Sequence, residues 1–270
     1  MIEKEIKYNG VCVWWSLCDR TSEEELRQGF QALGRAELIP ERIDDRYALQ
    51  RALQSLYPDR RALVRPLGRG VVGYALVHED PNGTEMEYQE ELRAALLNGQ
   101  LLISPAEHSA REELTTRYRE ERNFVTASKL GGVLVRAARA LSGISLRSRG
   151  GFYWIPEQNL EKWRAIAQVV EDAHGSNRIS MMRTTTDEDS VDSVCDSLIA
   201  QVQSGLAQVE EKLATGDLGK RGLRTQQAEA KELDRLVQKY EKILGRTLDS
   251  LRTQTAQVEA QASMAVLMAS

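Results

Sequence analysis

Apolar positions along this chain follow two rhythms. After about residue 106 they recur every three or four residues, the spacing of one helix face; before it, short alternating or continuous runs between turn residues dominate. Early on, Asn9-Gly10 between apolar runs predicts a hairpin turn. Val11 to Leu17 is apolar on both faces and predicts a central, buried strand, with Trp14 and Trp15 as core anchors rather than a stacking platform. Ser22 followed by Glu25 is a capping box and predicts a helix to Leu33, stopped at Gly34. Asp44 or Asp45 caps a second helix with Tyr47, Leu49, Ala52, Leu53 and Leu56 at helical spacing. Ala62–Leu67, Val71–Glu79 and Thr84–Leu92 then read as a strand meander, followed by a short strand at Leu101–Ser104. In its third strand Met86, Tyr88 and Leu92 are expected on the buried face, with Glu85, Glu87, Gln89 and Glu91 in solvent.

The helical rhythm from Glu107 to Leu141 is interrupted at Gly131-Gly132, which predicts two helices or a kink. Ile144 to Pro156 predicts a β-hairpin turning at Arg149-Gly150-Gly151. Asn159 is expected to cap a helix carrying Leu160, Trp163, Ile166, Ala167 and Val170, and Arg178–Thr184 to add a third strand against the hairpin. Val194, Leu198, Val202, Leu206, Val209 and Leu213 then follow the straight-helix period behind the acidic start Asp187-Glu188-Asp189. Gly216, Gly219 and Gly222 mark a reversal. A second helical run carries Leu233, Val237, Tyr240, Leu244, Leu248, Leu251, Thr255 and Val258 toward Met268. Read as one helix it spans roughly 45 residues, about 65 Å, against about 40 Å for its partner. The excess must lie on another part of the chain, on another copy, or in solvent.

The expected class is α+β: a domain over 1–106 with an antiparallel sheet and helices, a helix and β-hairpin module over 107–186, and a long antiparallel αα-hairpin over 187–270.

Composition alters this picture little. Hydrophobic residues make up 41% and charged residues 28% of the 270 residues, and the net charge is −4, so any attraction to nucleic acid must come from local segregation of charge. Three cysteines, Cys12, Cys18 and Cys195, show no disulfide framework or zinc spacing. A reducing, cytoplasmic setting follows, with no signal peptide and no apolar run long enough to span a membrane.

Charge is most uneven between residues 122 and 149, where Arg122, Lys129, Arg136, Arg139, Arg147 and Arg149 occur with no acidic residue between them. A helix followed by a hairpin with arginines on its limb resembles a winged-helix module. The resemblance covers about 50 residues and implies a helix in a groove and a wing on phosphate. The competing reading pairs these arginines with acidic residues of 187–215 or with Glu112, Glu113, Glu120 and Glu121. Arg60, Arg61, Arg65 and Arg69, bordering Gly68 and Gly70, lack the Lys-Ser/Thr ending of a phosphate loop and read as surface charge. His78, His108 and His174 are scattered, and no Cys/His pairing, serine-nucleophile elbow or dinucleotide loop is evident, so neither metal nor cofactor is expected.

The expectation is a non-enzymatic binding or assembly protein. Leu244, Leu248, Leu251, Val258 and Val266 would form its interface with a second copy or a partner protein. DNA or RNA bound by the basic segment is the alternative.

Overall fold

The computed structural model describes residues 7–58, 62–68, 70–82, 85–147, 150–215 and 218–268. The elements in order are β1 (Tyr8–Ser16), β2 (Thr21–Ser22), α1 (Glu23–Ala32), α2 (Asp45–Leu56), β3 (Ala62–Pro66), β4 (Val72–Asn82), β5 (Glu85–Leu97) and β6 (Gln100–Ser104). There follow α3 (Arg111–Glu121), β7 (Phe124–Val125), α4 (Ala127–Ala140), β8 (Ile144–Ser145), β9 (Phe152–Pro156), α5 (Leu160–Asp172) and β10 (Arg178–Thr185). Last come α6 (Glu188–Ala214), α7 (Lys220–Leu244) and α8 (Asp249–Met268). The protein is mixed α+β, with antiparallel sheets and a packed set of C-terminal helices. Internal contacts divide it into two units: the described parts of 1–16, 134–168 and 178–270, and residues 17–133 with 169–177.

In the second unit, β3, β4, β5 and β6 form the expected meander. Its core face presents Tyr74, Leu76, Leu92, Ala94 and Ile103 to Leu49 and Leu53 of α2 and Leu114 and Tyr118 of α3. The helix starts follow local signals. Ser22 Oγ accepts the Glu25 N–H at 3.3 Å and Asp44 Oδ1 accepts the Arg46 N–H at 2.7 Å. The face alternation expected for β5 fails: Tyr88 is exposed while Leu92 is buried, and the Met86 side chain lies outside the described residues. The register shifts between Leu76 and Val77, which puts an extra residue on β5 and reverses the inward face beyond it. The break in the Glu107–Leu141 helical stretch is also displaced. It falls at residues 122–126, where β7 pairs with β2, and Gly131-Gly132 lie inside α4.

In the first unit the sheet order is β10-β1-β9-β8, all antiparallel. The expected central strand is present as β1, but it is buried only over Gly10–Val13, and Trp14, expected as a core anchor, is exposed. Asn9-Gly10 makes no turn: it lies within β1 beside a register shift, and Gly10 is needed because a Cβ there would meet Trp154 Cε2 at 2.4 Å. The hairpin is formed by β8 and β9, with Ser148 and Arg149 outside the described residues. β10 does not join that hairpin; it pairs with β1, which intervenes. One sheet face carries Cys12 and Trp154 against the C-terminal helices. The other carries Trp15, stacked on Tyr153 at 5.7 Å and tilted against Trp163 of α5 at 6.2 Å.

The C-terminal layer is three helices, not two. α6 begins at its acidic cap and has 27 residues. The second run breaks at Gly245, whose φ of 64° is left-handed. α8 then returns along α7. Contacts pair Arg252 with Glu241, Thr255 with Asp234, Lys231 with Glu259 and Gln227 with Ser263, so the numbers rise on one helix as they fall on the other. The same trend links α6 to α7 and the turn that follows it, through Asp192–Arg246, Gly205–Leu233 and Lys212–Glu229. The excess length expected from the sequence is thus folded onto its own chain.

Candidate functional site

The predicted interface residues lie mostly inside this helical layer. Leu251 and Val258 are buried in its core, and Leu244 and Leu248 pack partly buried against it. Val266 is half-buried. Exposed apolar surface remains at the end of α8, on Met264, Leu267 and Met268, which are 57%, 74% and 83% exposed. Their spacing of three and four puts them on one side of the helix. On the sheet face that carries these helices, Trp14 and Met182 are also exposed, with Phe152 tilted against Trp14 at 5.8 Å.

The structure separates the predicted basic residues into used and available. Arg122 donates from Nε to Asp45 Oδ1 at 2.8 Å and lies over the Tyr118 ring. The Lys129 ammonium donates to the carbonyls of Arg42 and Glu41. Arg136, Arg139 and Arg147 are exposed and have no ion-pair partner among the described residues. Arg149 lies outside the described residues, as do Arg60, Arg61 and Arg69; Arg65 is exposed on β3. Two of the acidic partners proposed for the segment are taken elsewhere: Glu113 by Arg117 at 2.7 Å, and Glu121 by Arg20 at 2.9 Å and Arg51 at 2.8 Å.

Arg136 and Arg139 stand near the C-terminus of α4, which ends in a Schellman motif. The Ser142 N–H donates to the Arg139 carbonyl at 2.9 Å and the Gly143 N–H to the Ala138 carbonyl at 2.7 Å. Ser142 occupies the left-handed position, with φ of 60°. Its hydroxyl accepts from the Lys239 ammonium and its carbonyl from the Tyr240 hydroxyl. Two cations, Arg139 and Lys239, therefore stand where the helix dipole is negative, with Arg136 one turn behind.

Sequence spacing missed two constellations in the second unit. The histidines are not all isolated: Glu91 is shared by His78 Nε2 and by His108 Nε2 at 3.2 Å. Burial and the Glu91 carboxylate push the Tyr57 hydroxyl well above the usual tyrosine range. A Cys/His pair also exists. Cys18 Sγ lies 3.6 Å from His174 Nε2, although the residues are 156 positions apart. No spacing rule reaches that far; only the fold brings them together.

Fold and surfaces together define a two-unit α+β protein with an antiparallel helical layer, and no helix of its described residues is long and apolar enough to cross a membrane. Residues 10–269 match the model of a family of unknown function, DUF6744, and the chain belongs to that family. No curated protein and no solved structure matches it.

Proposed function

We propose that this is a non-enzymatic binding or assembly protein that self-associates through its C-terminal helical layer, in the reducing setting of the cytoplasm. The observation that carries the reading is the apolar end of α8. Leu251, Val258 and Ala262 are consumed by the chain's own core, while Met264, Leu267 and Met268 remain in solvent. Large apolar side chains on one helical side are a costly surface unless covered. The contact surface is thus narrower than the sequence implied: the tip of α8 rather than the whole stripe. Light scattering and sedimentation over a wide concentration range test it. The wild type is expected to form a discrete oligomer, and Leu267→Asp with Met268→Asp to return it to monomers with an unchanged melting temperature. A wild type that stays monomeric throughout overturns the reading.

A second reading, DNA or RNA binding, is favoured by Arg136, Arg139 and Arg147, which are exposed without carboxylate partners among the described residues. Cations on phosphate act through counterion release, so affinity should fall steeply with salt. Arg136→Glu with Arg139→Glu should abolish a gel shift seen at low salt while leaving stability near wild type. No shift of duplex or single strand by wild-type protein at low salt would dismiss it.

A further inference from the structure

Of the three cysteines, Cys12 and Cys195 are sealed at 6% and 5% exposure, and burial pushes both thiols up. Cys18 is partly exposed and has company. Its sulfur lies 3.6 Å from His174 Nε2 and accepts the Arg20 backbone N–H at 3.4 Å. The other imidazole nitrogen fixes the tautomer: His174 Nδ1 accepts the Ser176 N–H at 3.1 Å. A ring nitrogen that accepts carries no hydrogen, so in the neutral ring the proton is on Nε2 and is offered to the sulfur.

One buried side chain frames the pair. Asn177 is fully buried. Its Oδ1 accepts the Cys18 N–H at 2.8 Å, and its Nδ2 donates to the Val170 carbonyl at 2.8 Å and to Thr21 Oγ1 at 3.1 Å. Its backbone N–H donates to the His174 carbonyl at 2.8 Å. The backbone of the thiol and that of the imidazole are therefore fixed by the same residue. Burial of an asparagine whose polar atoms are so used holds both partners against rearrangement.

We infer that Cys18 is a modification site whose sulfur exchanges with a low-molecular-weight disulfide, with His174 as the positioning residue. In the step, the Cys18 thiolate attacks one sulfur of the small disulfide. A Cys18–sulfur bond forms, the original sulfur–sulfur bond breaks, and the departing half leaves with the electron pair as a thiolate. The proton released by Cys18 goes to solvent, from which the leaving thiolate can recover one. Cys18 is oxidised and the leaving half is reduced. A free thiol reverses the step, and Cys18 then departs as the anion that the two N–H donors receive. The His174 Nε2–H and the Arg20 N–H both point at the Cys18 sulfur, and the thiolate is the attacking species. The tautomer separates this from acyl transfer, where the imidazole must instead take the thiol proton.

The test uses the full chain and glutathione disulfide near neutral pH, read by intact mass and peptide mapping over time. The folded protein is expected to gain one glutathionyl group, on Cys18, with Cys12 and Cys195 unmodified. Its rate should exceed that of Cys18 in the same chain unfolded by denaturant, and Cys18→Ser should take up none. His174→Gln, which keeps an N–H donor, should retain most of the rate. His174→Ala should lose about tenfold with the sealed cysteines still protected, as loss of a hydrogen bond to a charged group implies. Modification first at Cys12 or Cys195, or a folded Cys18 no faster than the unfolded one, overturns the site. An unchanged rate in folded His174→Ala overturns the role of His174. Should that variant unfold, the comparison of folded and unfolded wild type still decides the site, and His174→Gln decides the imidazole.

Discussion

The Tyr240 hydroxyl donates to the carbonyl of Ser142, 98 residues earlier, at 2.5 Å. The bond is buried, and it falls on a serine held in the left-handed region. A non-glycine residue is costly there unless its surroundings hold it. Tyr240 and Lys239, adjacent on α7, both grip Ser142, so the helical layer secures the end of α4.

Tyr240→Phe should leave the Ser142 carbonyl buried without this partner. A cost of about 1–3 kcal/mol is expected, read as a lower denaturation midpoint with little change in slope. Ser142→Gly in the same background should recover part of it by relieving the backbone. An unchanged midpoint in Tyr240→Phe would show that the bond contributes nothing.

Asp187 contributes to stability on the acid side. Hydrogen bonds from the Thr185 hydroxyl, then from the Ser190 N–H and hydroxyl, hold its carboxyl down at about 2. An unfolded aspartate titrates near ~3.9. The folded value is the lower, so its contribution is present above about pH 4 and is lost as pH falls through about 2. Asp187→Asn should lower the melting temperature at neutral pH and make the decline between those pH values shallower. Parallel acid profiles for the two proteins would contradict this.

Gly10→Val should be poorly tolerated, because its Cβ would enter space held by Trp154 and lie 2.6 Å from the Ile155 carbonyl oxygen. Overpacking of this kind costs about 1–3 kcal/mol. The near-ultraviolet circular dichroism of Trp154 should change along with the midpoint. An unperturbed spectrum would place the indole elsewhere.

Gly245→Ala places a Cβ on a left-handed residue in open space, so only the backbone is strained. A loss of about 1 kcal/mol is expected, with helix content retained. A gain in stability, or one longer helix by hydrogen exchange, would show that α7 and α8 prefer to join.

Much of the fold could be read from local signals, because those signals act locally. Ser22, Asp44 and Asp187 cap helices within a few residues of themselves, and the turn around Gly68 separates strands that pair with each other. Where distant residues decided, local signals misled. Asn9-Gly10 has the composition of a turn, yet Trp154 packs over Gly10 and the strand runs on. Gly131-Gly132 looks like a break, yet α4 continues through it. In the candidate sites, the arginine segment was visible as composition, but which members were free depended on Asp45 and the carbonyls of Glu41 and Arg42. Cys18 and His174 meet only because Asn177 returns to the start of the second unit.

β1 occupies the middle of its sheet, yet both of its neighbours are made long after it. During synthesis Val11–Trp15 must wait for Phe152–Pro156 and Arg178–Thr185 before both edges are satisfied. At about 5–20 residues per second that is roughly 10–35 seconds. For that interval the nascent chain carries an unpaired, apolar strand rich in β-formers. A strand paired on both edges in the finished protein is thus unpaired at birth, and a slower ribosome would lengthen that interval.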